Sequence, residues 1–144
     1  MADDVTTARI NAATTRLRQH EREWEYQVTE ILQGAKIHLY EGWTQGVDAL
    51  DKEDIVCSPL SPHAVCWCLG GAIRRASRTL DNTNPVDRVA EGSARERVHA
   101  QLKKSYGLTW ETMEMWNDNR NRSKEEVLNA VQAAIEAQGV EHEV

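Results

Sequence analysis

The stretch Thr7–Tyr40, TARINAATTRLRQHEREWEYQVTEILQGAKIHLY, decides the fold. Its apolar residues Ile10, Ala13, Leu17, Trp24, Ile31 and Ala35 recur at steps of three, four or seven, the period of one helix face, and no proline interrupts them. A helix of this extent is a rod of ~50 Å at the usual rise per residue. Such a rod is too long for a domain of this size to cover, so its first half must project, fold back or pair with another chain. Arg18, Glu21, Arg22, Glu23 and Glu25 line the other faces, while His20 and Gln27 weaken the apolar seam. Ile10, Leu17 and Trp24 are therefore the expected residues of a protein interface, with a homodimer as one form of it.

Working outward, Gly42 stands where a left-handed residue is expected to close the helix, and Trp43 beside it is placed to fold back onto the last turn. Residues 44–59 show little periodicity and read as an irregular surface segment. Ser61-Pro62 has the form of an N-cap followed by a first helical residue. It predicts a helix through Ala64, Val65, Leu69, Ala72, Ile73 and Ala76 to about Leu80. Turn formers fill 81–85, Asn84-Pro85 opens the next helix, and Gly92 is expected to break it before Ser93 and Glu96 restart it. Val98 and Leu102 mark its buried side, which ends at Gly107. A short helical turn from Trp110 to Trp116 and a polar loop at 117–122 follow. Ser123 and Glu126 then stand at capping-box spacing before a last helix carrying Val127, Leu128, Val131, Ala134 and Ile135. No strand is predicted. The expected class is all-α, a small bundle of four to five helices with a long N-terminal helix. The expected plan is a helical extension at 1–24, a helical domain at 25–138 and a frayed tail at 139–144.

A hydrophobic content of 40% in 144 residues is enough for one core. The net charge of −6 repels nucleic acid and anionic membrane alike. No apolar run approaches the ~20 residues that span a bilayer. The opening MADDVTTARI has neither a basic nor an apolar export region. Three cysteines, Cys57, Cys66 and Cys68, make a poor disulfide framework and suit a reducing compartment. A cytoplasmic protein is expected, with a protein partner or its own copy rather than membrane or nucleic acid. The basic run from Arg74, Arg75 and Arg78 to Lys103 and Lys104 has only Tyr106 for base stacking, so it reads as a solvated helix face.

Cys57, His63, Cys66 and Cys68 have the ligand types of a tetrahedral zinc site. On a helix starting at Pro62, however, Cys68 lies about 200° around from Cys66, so the set converges only if the helix begins late. Cys66 and Cys68 then read as small buried hydrophobes, and no metal or other cofactor is expected. A cysteine nucleophile with His63 as base lacks any third orienting group. Gly70-Gly71 inside a helix costs roughly 1 kcal/mol per glycine relative to alanine, which close packing or a ligand on the bare backbone would offset.

Cys68-Leu69-Gly70-Gly71-Ala72-Ile73, then Trp116-Asn117-Asp118, then Arg122-Ser123-Lys124-Glu125-Glu126-Val127 resemble an uncharacterised small helical domain family of bacteria and their phages. Its pattern is C-x-x-G-A-[LI] followed by [WF]-N-D and R-[ST]-x-x-E-V. The likeness runs from about Tyr26 to Gln138 and leaves the first 25 residues outside. It implies a compact helical domain and brings no reaction with it. This chain departs from it in its longer N-terminus and in Cys66.

Trp116, Asn117, Asp118 and Arg122, with Gly70 and Gly71, are the candidate ligand site, because the loop gathers an aromatic, a carboxylate, amides and arginines next to a helix N-terminus. The same residues also fit a purely structural loop in which Trp116 plugs the core and Asp118 bonds loop amides or Arg122. The functional expectation is a non-enzymatic interaction domain pairing through its N-terminal helix. The alternatives are a small-molecule or nucleotide-binding domain using the Trp116–Arg122 loop, and an inhibitor of a host defence protein.

Overall fold

The computed structural model describes residues 2–79 and 85–137. The long apolar stripe forms one continuous helix, α1 (Ala2–Glu41). After it come β1 (Ala49–Asp51), β2 (Ala64–Trp67), α2 (Leu69–Thr79), α3 (Pro85–Tyr106), α4 (Met113–Asn117) and α5 (Lys124–Glu136). The class is the expected one: five helices among the described residues, led by the long one, with a two-stranded sheet as the sole addition. The expected turn at 81–84 and the tail at 139–144 fall outside the described residues.

The second half of α1 is the spine. Val28, Ile31, Leu32, Ala35 and Leu39 are fully buried on it, and α2, α3 and α5 pack around them. Buried Ala90, Ala94, Val98 and Leu102 recur every four residues on α3, and Val127, Ala130, Val131 and Ala134 complete the core from α5. Arg97 on α3 pairs with Glu25 on α1 at the point where α1 enters the domain. Upstream of it, residues 4–23 are exposed except for half-buried Ala13.

Three local expectations are corrected. The helix does not open at Ser61-Pro62. The Ser61 hydroxyl accepts only the His63 N–H in a tight turn, and 64–67 runs as β2 antiparallel to β1, pairing Ala49 with Trp67 and Leu50 with Cys66. Val65-Cys66-Trp67 is a β-branched and aromatic run, which favours a strand over a turn of helix, with Ala64 and Trp67 buried and Val65 exposed. Gly42 is not a left-handed cap, since the positive-φ glycines are Gly46 and Gly107. Its requirement is steric: a Cβ there would run into the Val65 carbonyl oxygen where β2 crosses the end of α1. Gly92 does not break α3. It lies exposed with open space around it, and buried Ala90 and Ala94 hold the helix to the core on either side.

Other signals hold. Gly107, at φ +66°, ends α3 with its N–H on the Lys103 carbonyl, and Pro85 is the first residue of that helix. Ser123 and Glu126 form a reciprocal capping box at the start of α5.

Candidate functional site

The centre of the Trp116–Arg122 region is Asn117, the last residue of α4 and fully buried. An amide side chain has two acceptor sites and two donor hydrogens. Here all four are used. Oδ1 accepts from the Trp43 Nε1–H at 2.8 Å and from the Leu69 backbone N–H at 3.1 Å. Nδ2 donates to the Thr44 carbonyl at 3.2 Å and to the Asp118 carboxylate at 3.0 Å. One side chain thus joins the turn after α1, the first N–H of α2 and the end of α4.

Its neighbours extend the joint. Asp118 Oδ1 also accepts the Gly46 N–H at 2.9 Å, and Gln45 Nε2 donates to the Asn117 and Asn119 carbonyls at 2.8 and 2.7 Å. Trp116, 3% exposed, lies under the Arg122 guanidinium at 4.0 Å and against the Tyr106 ring at 5.1 Å. Arg122 also donates Nε–H to the Trp116 carbonyl at 3.0 Å and Nη1–H to Glu126 at 3.0 Å. The Ser123 N–H and the Arg122 charge hold the Glu126 carboxyl below the usual carboxylate range. Trp116 sits in the core with its buried Nε1–H unpaired, Asp118 binds a loop amide, and Asn117 has no unused hydrogen-bonding position.

Gly70 and Gly71 lie on the other side of the α2 N-terminus. They border a cleft of about 400 Å³ together with Asp48, Arg74, Glu91, Arg95 and Glu114. Their smallness has separate causes. A Cβ on Gly71 would overlap the Asp48 backbone carbonyl, and a Cβ on Gly70 would press on the Arg95–Glu114 ion pair. The structure therefore splits the six candidate ligand residues into a closed joint of four and a cleft edge of two. Of the loop region, only Glu114 of α4 reaches the cleft.

Cys68 is buried and precedes α2, its Sγ accepting the Gly71 N–H at 3.3 Å and facing Asp48 Oδ1 at 3.8 Å. Burial pushes its thiol up from the ordinary value, so it stays protonated and unreactive at neutral pH. α2 does begin late, the condition under which His63 and the cysteines were to converge. Even so, no group of three His, Cys, Asp or Glu among the described residues is placed to hold a metal ion. In the basic run Arg74, Arg78, Lys103 and Lys104 are exposed, while Arg75 donates to the Ser61 carbonyl at 2.8 Å over Trp67 and Arg95 and Arg97 are ion-paired.

Two features escaped sequence reasoning. The sequence marks Trp43 only as a residue that folds back, because nothing local connects it to an amide 74 positions away. The Arg97–Glu25 and Arg95–Glu114 pairs were equally invisible, since each joins different elements.

Residues 25–137 match the profile of a family of unknown function, DUF6197. The chain belongs to this family. The DUF6197 span starts at Glu25, the residue that pairs with Arg97, and leaves out the exposed part of α1. Both halves of the Asn117 joint fall within it. No curated protein and no solved structure matches the chain. No helix among the described residues is long and apolar enough to cross a membrane.

Proposed function

We propose that this chain is a non-enzymatic interaction domain that self-associates through the exposed arm of α1. The observation that carries this reading is one seven-residue stripe passing from covered to bare: Ile31 is 1% exposed and Trp24 packs on the core, while Leu17 and Ile10 are 64% and 59% exposed. The arm continues a helix that the domain has already nucleated, so a partner helix gains apolar contact without the cost of helix initiation. The closed joint around Asn117 adds support, because all four hydrogen-bonding positions of that side chain are committed to the fold.

Light scattering on the full chain and on Ile10→Glu/Leu17→Glu tests the proposal. The expected result is a wild-type mass above one chain that falls on dilution, with the variant at one-chain mass and unchanged thermal stability. A wild-type protein of one-chain mass up to about 100 μM, a weak Kd for a specific pair, would overturn it.

A second reading, a small-molecule domain, draws on the cleft beside Gly70 and Gly71, where two arginines face three carboxylates. Calorimetry with nucleotides and small zwitterions tests it. No heat from any of them, and no movement of the Gly70 and Gly71 amide resonances, would remove it.

A further inference from the structure

We infer that the two arms pair antiparallel, each arm ending where its partner's α2 begins. This rests on the self-association proposed above and goes on to fix its geometry. The stripe at positions 10, 13, 17, 20, 24 and 27 continues to Gly34 and His38, and there it is already occupied. A Cβ on Gly34 would lie 3.1 Å from the Ala76 Cβ of α2, and the His38 ring sits 4.9 Å from the Trp67 ring of β2. A partner helix on the bare half of the stripe therefore runs head-on toward α2.

In a parallel pair both copies would bring an α2 to the same side at the same height, and the helices would be forced apart just beyond Trp24. In an antiparallel pair centred near Thr15, each arm lies on the bare half of the other and stops short of the occupied half. The two domains then sit at opposite ends, with about 30 Å of helix between the two Glu25 positions at 1.5 Å per residue.

The side chains fit this register. Large residues meet small or flat ones: Leu17 lies over the partner's Ala13, and Ile10 over the imidazole of the partner's His20. Arg9 flanks the partner's Glu23, giving two symmetric attractive pairs. Arg16 meets its own copy at the two-fold axis, a single like-charge contact. A parallel register would instead set Arg16 beside the partner's Glu21. Exposed pairs of this kind change affinity by only about twofold, too little to outweigh the collision of two α2 helices.

The opposite roles of Arg16 give a sharp test. Arg16→Gln tightens the antiparallel dimer about twofold by removing repulsion, whereas it weakens a parallel one. Orientation is read directly by oxidising Ile10→Cys chains, His20→Cys chains and their mixture, with the linked peptides identified by mass. The expected result is a 10-to-20 cross-link that appears only in the mixture. Self-linking of either variant alone, or a mixture without the mixed link, overturns the antiparallel register while leaving self-association intact. A wild-type chain that stays at one-chain mass overturns both.

Discussion

The two ends of α1 have opposite characters. At its C-terminal end the core-facing side is covered: Leu39 is fully buried, Gly42 fits under a crossing strand, and Trp43 hands its N–H to an amide with no capacity left, while the buried His38 Nδ1 stands without a hydrogen-bond partner. At its N-terminal end the same helix runs on for about twenty residues with its apolar positions in water. The contrast separates what holds this molecule together from what it presents to others. The family span begins at Glu25, and the bare part of the seven-residue stripe lies before it.

The sharpest way to break the contrast is Asn117→Ala. It strands the Trp43 and Leu69 N–H groups and the Thr44 carbonyl, and should cost about 3–5 kcal/mol in urea unfolding. Gly71→Ala comes next at about 1–3 kcal/mol, because the new methyl meets fixed backbone at Asp48. Gly92→Ala has the opposite sign. With open space around it in mid-helix, it should gain roughly 1 kcal/mol.

A pH series sharpens the covered end further. Burial, together with the Arg75 charge, lowers the His38 pKa below its ordinary 6.5. The unfolded chain therefore takes up this proton first as pH falls. The contribution of the neutral ring is full above pH 6.5 and is lost as pH drops through that value toward the depressed one. His38→Gln should remove this part of the slope in thermal melts between pH 7.5 and roughly 5.5. Smallest of all, Ile10→Glu/Leu17→Glu should leave the unfolding free energy of the dilute domain within about 0.5 kcal/mol of wild type, a surface-substitution effect.

Legibility follows the same division. Signals written within a turn or two of sequence were readable: the long α1 stripe, Pro85 at the start of α3, Gly107 at its end and the Ser123–Glu126 box. Signals that depend on a distant partner were not. Ser61-Pro62 has every local mark of a helix start, but pairing with β1 claims the residues after it. The real start of α2 is marked by Cys68 and by an Asn117 oxygen 48 positions downstream. In the candidate site, the structural alternative for Trp116, Asp118 and Ser123 could be read from residue types alone. The identity of Trp43 and Thr44 as the groups that fill Asn117 could not.

That remote cap has a kinetic corollary. A helix whose first N–H is satisfied by a residue 48 positions later has only the weak thiol cap of Cys68 as a local start signal during synthesis, and Gly70-Gly71 discourages nucleation at the same place. The segment from Leu69 to Thr79 should stay unwound as an isolated peptide, and in the emerging chain until α4 has left the ribosome. The glycine-bearing helix would then be among the late parts to consolidate, after the local α1 and α5 have already formed.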